Sequence, residues 1–201
     1  MDPSLTCSSL LSRIRDPGDQ RAWHQFESRY GDLVLRYARA RGLQLADAED
    51  VRQIVLVSLS RSMRGFEYSR GRGRFRDYLA CVVRRAVGRW SECPNPRMLS
   101  LDMEGASPLQ PTEPDTTDDI WEREWTEHHL RLAMAAVRQT SDAQTLAVFD
   151  RVLAGDSPSS IAAAFGLSED AVYKIKQRVR DRLRAAVARQ VSEEDADERP
   201  T

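Results

Sequence analysis

Residues 157–184 read SPSSIAAAFGLSEDAVYKIKQRVRDRLR, and this stretch decides how the rest of the chain is understood. Ser157 followed by Pro158 is a helix start: a side-chain cap, then a proline where a missing N–H costs nothing. Ile161, Ala162 and Phe165 form a short apolar stripe, and Gly166 permits a tight turn. Ser168 then caps a second helix whose first residues, Glu169 and Asp170, sit at its positive dipole end. Along it Val172, Ile175, Val179, Leu183 and Ala186 recur at three- and four-residue steps and face inward, while Tyr173, Lys174, Gln177, Arg178 and Arg184 lie on the other side. This is a helix-turn-helix pattern with a basic second helix. In a major groove, the N-terminal part of such a helix reads base edges while its arginines hold phosphates. An ordinary amphipathic surface helix would explain the charge run. It would not explain cap, proline, turn glycine, second cap and basic face in that order.

The 201 residues accommodate one domain or two small ones. No stretch approaches the roughly 20 apolar residues of a membrane span, so no membrane partner is expected. Cys7, Cys81 and Cys93 are odd in number and lack metal-ligand spacing, which favours a reducing compartment and no structural zinc. His128 and His129 are adjacent and make a poor ligand pair on a helix; with the lone His24 they are expected at the surface. No metal and no cofactor is expected. The net charge of −1 is unlike a nucleic-acid binder, but it hides blocks of opposite sign. From Arg21 to Trp90 there are 15 arginines and 7 acids, followed by an acidic run through Glu113, Asp115, Asp118, Asp119, Glu122, Glu124 and Glu127. The helix-turn-helix block is basic again and the end, SEEDADERPT, is acidic. Segregation of this kind is the footprint of basic surfaces joined by an acidic tether.

Almost every periodic segment has a helical period, so the expected fold class is all-α: two small helical domains on a flexible acidic linker. Trp23, Phe26, Tyr30, Leu33, Val34 and Tyr37 make one stripe, ended by Gly42. Val51, Ile54, Val55, Leu59 and Met63 make the next, stopped by Gly65; Phe75, Leu79, Val82, Val83, Ala86 and Trp90 make a third. From Pro94 to Pro114 the composition turns to Pro, Ser, Thr and acid without periodicity. Helices resume at Trp121, Trp125 and Leu132, and Ser141 with Gln144 is expected to form a capping box for a helix carrying Leu146, Phe149 and Leu153. The expected divisions are 8–92, a linker 93–119, a C-terminal domain 120–188 and a disordered acidic tail 189–201.

Two features of the N-terminal block suggest binding. Asp47, Glu49 and Asp50 cluster just before Gln53 at the start of the second stripe, where acids also serve simply to cap a helix dipole. The segment from Phe66 to Phe75 is an arginine- and glycine-rich loop, with Arg70, Arg72 and Arg74, opening onto a helix where Tyr78, Arg85 and Arg89 continue an outer stripe and Arg84 lies further round. Glycines let backbone approach a ligand, arginines hold phosphates, and aromatics stack on unpaired bases. Phe75 is read as core, whereas Arg70 and Arg72 are read as nucleic-acid contacts.

With WHQFESRYGDLVLRYARARGL, DAEDVRQIVL, RGRFRDYL and SIAAAFGLSEDAVYKIKQRVRDRLR in this order and separation, the chain resembles the extracytoplasmic-function sigma factors of the main bacterial sigma family. The resemblance covers about residues 10–90 and 127–188, and SLLSRIRDPGDQRAW and AVYKIKQRV look most like planctomycete variants. It implies a non-enzymatic, cytoplasmic protein whose partners are core RNA polymerase, promoter DNA and an anti-sigma factor or Ser/Thr kinase. Asp47, Glu49, Asp50 and Gln53 match the polymerase-docking segment. The loop 66–73 and the helix beyond, with Arg70, Arg72, Arg74, Tyr78, Arg84, Arg85 and Arg89, match the part that opens and reads the minus-ten element. Ser168, Glu169, Tyr173, Lys174, Lys176, Gln177, Arg178 and Arg180 fall in the reader of the minus-thirty-five element. Two positions depart from the family pattern: Arg84-Arg85 stands where an arginine-asparagine pair is usual, and Ile175 where a basic residue is common.

Two other classes compete. A stand-alone helix-turn-helix regulator with a helical sensor domain explains residues 141–188 but gives no reason for the arginine-glycine loop. A helical enzyme lacks a cysteine-histidine pairing and a phosphate loop, and its clustered acids sit at a helix start.

Overall fold

The computed structural model describes residues 7–63, 75–93 and 118–196. The loop carrying Arg70, Arg72 and Arg74, residues 94–117 of the expected linker and the last residues of the tail lie outside the described residues. Among the described residues there are eight α-helices and no strand, as the helical periodicity predicts. The chain divides into a first unit of residues up to Thr126 together with those from Ser192 onward, and a second unit, Glu127–Val191.

In the first unit α1 (Cys7–Arg13) leads through a turn into α2 (Gln20–Ala40), whose N-cap is Asp19. The Asp19 carboxylate accepts from the Ala22 amide at 2.9 Å and is gripped by Arg13, Nε to Oδ2 at 2.8 Å. The Arg13 hydrogen bond and then the amide bond hold this carboxyl below its ordinary range. The predicted stripe of α2 is the buried one: Phe26, Tyr30, Leu33 and Tyr37 are at most 1% exposed. Gly42, at φ +94°, turns the chain into α3 (Leu45–Ser62), which buries Val51, Val55 and Leu59. In α4 (Phe75–Glu92) the buried face is wider than the predicted stripe and includes Tyr78, Ala80 and Val87 as well. Phe75 packs its ring against Phe26 and Tyr30, which confirms it as core.

The same core continues beyond residues 94–117. Helix α5 (Asp119–Thr140) begins with two turns that belong to this unit, and Trp121 and Trp125 are 3% and 6% exposed in its core. Trp121 meets the Tyr37 ring edge-on at 5.5 Å, and Trp125 stacks on Tyr30 at 6.4 Å. The compact first unit thus takes in these turns and reaches Thr126. Two tryptophans one helical turn apart form a single apolar ridge, and burying them outweighs the acidity of the residues between them.

The second unit holds the rest of α5, then α6 (Ala143–Leu153), α7 (Pro158–Phe165) and α8 (Glu169–Ala196) as far as Val191. Two small apolar clusters form its core. One gathers Val148, Ile161, Ala162 and Val172, the other Val137, Phe149 and Val179, and Ile175 packs against both. Three expectations change here. The cap of α6 is Asp142, whose carboxylate accepts from the Thr145 amide at 2.8 Å, while Ser141 instead accepts from Arg182. A carboxylate is a stronger acceptor for the orphan amides than a hydroxyl and takes the position. Leu153 is 60% exposed, its place inside taken by Val148 and Val152. His128 and His129 are 2% exposed rather than at the surface; the His129 Nδ1 hydrogen-bonds the Gln190 side chain of α8 at 3.0 Å, so the α5 face that looks polar is turned inward.

Candidate nucleic-acid interface

The acidic cluster lies at the start of α3. With Leu45 as its first residue, only Asp47 falls in the first turn, where a dipole contribution of about 0.3–1 kcal/mol operates. Glu49, Asp50 and Gln53 lie beyond it and are exposed, and no hydrogen bond or ion pair to another described side chain engages them. Capping thus explains Asp47 but not the other three. Leu45, 58% exposed, stands one turn before Glu49 and two before Gln53, so the face combines an uncovered leucine with solvated polar groups.

On α4 the predicted outer stripe divides. Arg85 and Arg89 are exposed, and Arg84 is half-buried with its Nε on the Ala80 carbonyl at 3.3 Å. Tyr78 leaves the stripe: it is 4% exposed and hydrogen-bonds through its hydroxyl to Ser62 of α3. Burial, opposed by that bond, pushes its phenol pKa upward. A ring next to Leu79 on a helix buried over so wide an arc has no solvent side left to occupy, and its hydroxyl finds a serine instead. Sequence reasoning overlooked Arg76. Half-buried, it pairs with Glu122 and lies over the Trp125 ring at 5.5 Å.

The second unit forms the two capped helices, α7 and α8, that its sequence signals require. The Ser157 hydroxyl accepts from the Ser160 amide at 3.2 Å and Pro158 opens α7. Gly166 closes it at φ +65°, ψ 34°, so that the Gly166 and Leu167 amides both return to the Ala162 carbonyl. Ser168 then caps α8, accepting from the Ala171 amide at 3.2 Å. Its hydroxyl is therefore spent on the helix, and Glu169 sits exposed at the first helical position. Tyr173, 54% exposed, heads an outward face on which Gln177 and Arg180 follow at helical steps. With Lys174 and Lys176 these residues line a shallow depression of about 360 Å³. Lys174 is paired with Asp170 at 2.7 Å, and the Gln177 amide donates to Asp181 at 2.9 Å. Arg178 is exposed beside Asp142, whose carboxyl it helps to hold low after the Thr145 bonds. Ile175, the departure from the family pattern, faces the core and is not part of the outward face.

The comparisons address the first unit. Residues 28–90 match the protein-family model described as Sigma-70 region 2, a span that takes in most of α2, all of α3 and α4 as far as Trp90. No curated protein matches the sequence. Among solved structures the chain is similar to "CnrH in complex with the cytosolic domain of CnrY", at 21% identity over 90% of this chain and 96% of that one, with a TM-score of 0.36. No helix among the described residues is long and apolar enough to cross a membrane. The α2–α4 bundle, with its acidic face on α3 and its arginines on α4, matches sigma-70 region 2 over residues 28–90, and that match supports a sigma factor that directs transcription initiation.

Proposed function

We propose that this sigma factor is of the extracytoplasmic-function type and works through two DNA-reading units. In this reading the α3 face of Leu45, Glu49, Asp50 and Gln53 docks on core polymerase. Arg84, Arg85 and Arg89 of α4, together with the loop bearing Arg70, Arg72 and Arg74, engage and open the minus-ten element. Helix α8 enters the major groove of the minus-thirty-five element with Tyr173, Lys174, Gln177, Arg178 and Arg180, and Lys176 at its margin. The observation that carries the proposal is the capped helix-turn-helix with an exposed tyrosine, glutamine and arginine on one face of α8, following a region 2 domain in the same chain.

The physics favours division of labour. Phosphate contacts supply salt-sensitive affinity, and each wrong base pair costs roughly 1–3 kcal/mol. Neither unit has to bind tightly alone when both are carried by polymerase, because tethering raises the effective concentration of the second contact. The protein acts in the cytoplasm under the control of a protein partner, an anti-sigma factor or a Ser/Thr kinase. The planctomycete-type assignment rests on the phrases quoted from the sequence.

Run-off transcription with core polymerase on a genomic promoter library, set beside gel shift without polymerase, tests the reading. Promoter-specific transcripts that require the polymerase are the expected result. Tight, sequence-specific shifts without polymerase, and no transcripts with it, would instead identify a stand-alone helix-turn-helix regulator.

A further inference from the structure

The arginines of α4 are in two different states. Arg85 and Arg89 are open, whereas Arg76 and Arg84 are half-buried on the side facing the first two turns of α5. There, carboxylates stand where phosphates would. Glu122 pairs with Arg76, and Asp118 accepts from the Tyr37 hydroxyl at 2.6 Å and from the Trp121 amide at 3.2 Å. Burial alone would raise the Asp118 pKa. The Tyr37 and Trp121 hydrogen bonds, with the charges of Arg41 and Arg84, outweigh it and hold this carboxyl below the usual range. Trp121 and Trp125 anchor the segment in the aromatic core. The docked state also carries a penalty: the Trp121 Nε1 and the Arg76 Nε are buried with no hydrogen-bond partner among the described residues. Strong apolar anchoring with unpaired donors beneath it suits a segment that docks and lifts.

We propose that residues 118–126 form an internal strap that mimics nucleic acid on α4, covering Arg76 and Arg84, and that a single DNA strand displaces it and gains Arg76 as a contact. The inference rests on the assignment of α4 to the minus-ten element. While the strap is down, apparent affinity for the strand is reduced by the fraction of molecules in which it is lifted.

The test uses the full chain and a labelled single-stranded DNA about 16 nucleotides long. Asp118→Asn with Glu122→Gln removes the two mimicking charges and keeps both tryptophans and an N-cap. Binding should tighten about threefold to tenfold, and the slope of log affinity against log salt should steepen by about 0.7, the amount for one added phosphate contact on a single strand. Glu193→Gln with Glu194→Gln, which changes net charge equally, should not change the slope. Arg76→Gln should cost more affinity in the loosened background than in the wild type, a coupling read from the double-mutant cycle. In the wild type, DNA should speed hydrogen exchange at the amides of 119–126, a readout needing no variant. Unchanged exchange there, or a loosened variant that behaves like the charge control, overturns the strap. If Arg85→Ala with Arg89→Ala still weakens binding, the DNA assignment survives that result; if it has no effect either, both readings fall together.

Discussion

Gly166 is the position where backbone geometry, stability and DNA reading can be tested with one substitution. It lies at φ +65°, ψ 34° between α7 and α8, and an added Cβ would meet nothing within 4 Å. The cost of a side chain there is therefore conformational, with no steric part. Placing an L-residue in the left-handed region costs roughly 1–2 kcal/mol. Replacing glycine also stiffens the unfolded chain and returns about 0.4–1 kcal/mol. Gly166→Ala should thus destabilise the second unit by about 1 kcal/mol, which for a unit of this size lowers its melting temperature by about 4–8 °C. Asn, whose short polar side chain tolerates this region, should cost less than Ala, and β-branched Val should cost more.

The assay is thermal melting together with hydrogen exchange restricted to amides of α6, α7 and α8. Minus-thirty-five binding should weaken in the same order, Gly, Asn, Ala, Val, because the turn sets the angle at which α8 is presented. If Ala were as stable as Gly, or Asn worse than Val, the left-handed cap would not be what fixes this turn, and the argument from Gly166 would fail.

Three further outcomes follow from the first unit. Asp50→Lys with Gln53→Ala should lower affinity for core polymerase at least tenfold while melting moves by no more than about 1 kcal/mol of stability; wild-type co-purification from a folded double mutant would remove the docking assignment. Tyr37→Phe deletes a buried hydroxyl that donates to the Asp118 carboxylate, so urea denaturation should show a loss of about 1–3 kcal/mol, and an unchanged midpoint would mean the bond contributes nothing. Because the folded pKa of Asp118 is depressed, its contribution is present above its unfolded value of about 3.9 and is lost as pH falls through the lower folded value. The stability gap between wild type and Asp118→Asn should therefore hold above about pH 4 and narrow as pH falls below it, and a gap independent of pH would show that the charge is not involved.

The parts of this protein that are written locally were legible. Ser157, Pro158, Gly166 and Ser168 each act within four residues of their own position, so reading them in order yields the two capped helices and the turn between them. The inward stripes of α2 and α3 were legible for a related reason: a helical period sorts residues on one helix without knowing its neighbours. Neither device sees how wide the buried arc becomes. Tyr78 lies one residue from Leu79, and whether it faces water depends on how much of α4 its neighbours cover, which periodicity does not encode. His128 and His129 failed in the same way, because an imidazole is polar enough to look solvated and apolar enough to pack.

The least legible feature is the one on which regulation of α4 turns. Residues 118–126 read as the end of an acidic linker and the start of a new domain because Asp118, Asp119, Glu122 and Glu124 dominate the composition. Composition averages over faces, and a helix does not. Trp121 and Trp125 share one face and meet Tyr37 and Tyr30, residues more than eighty positions earlier in the chain. The acids at 118 and 122 then fall where they can meet Tyr37 and Arg76. The available signal was the four-residue spacing of two tryptophans inside an acidic run, since large aromatics are costly to leave in water and had to find a cover. Taken with the excess of arginine between Arg21 and Trp90, that spacing already points to an acidic, aromatic helix seeking a basic, aromatic bundle. Aromatic burial brings the segment to the bundle. Its carboxylates make it a rival for the same cations that a phosphate backbone would use, which ties the folding of residues 118–126 to the binding of DNA.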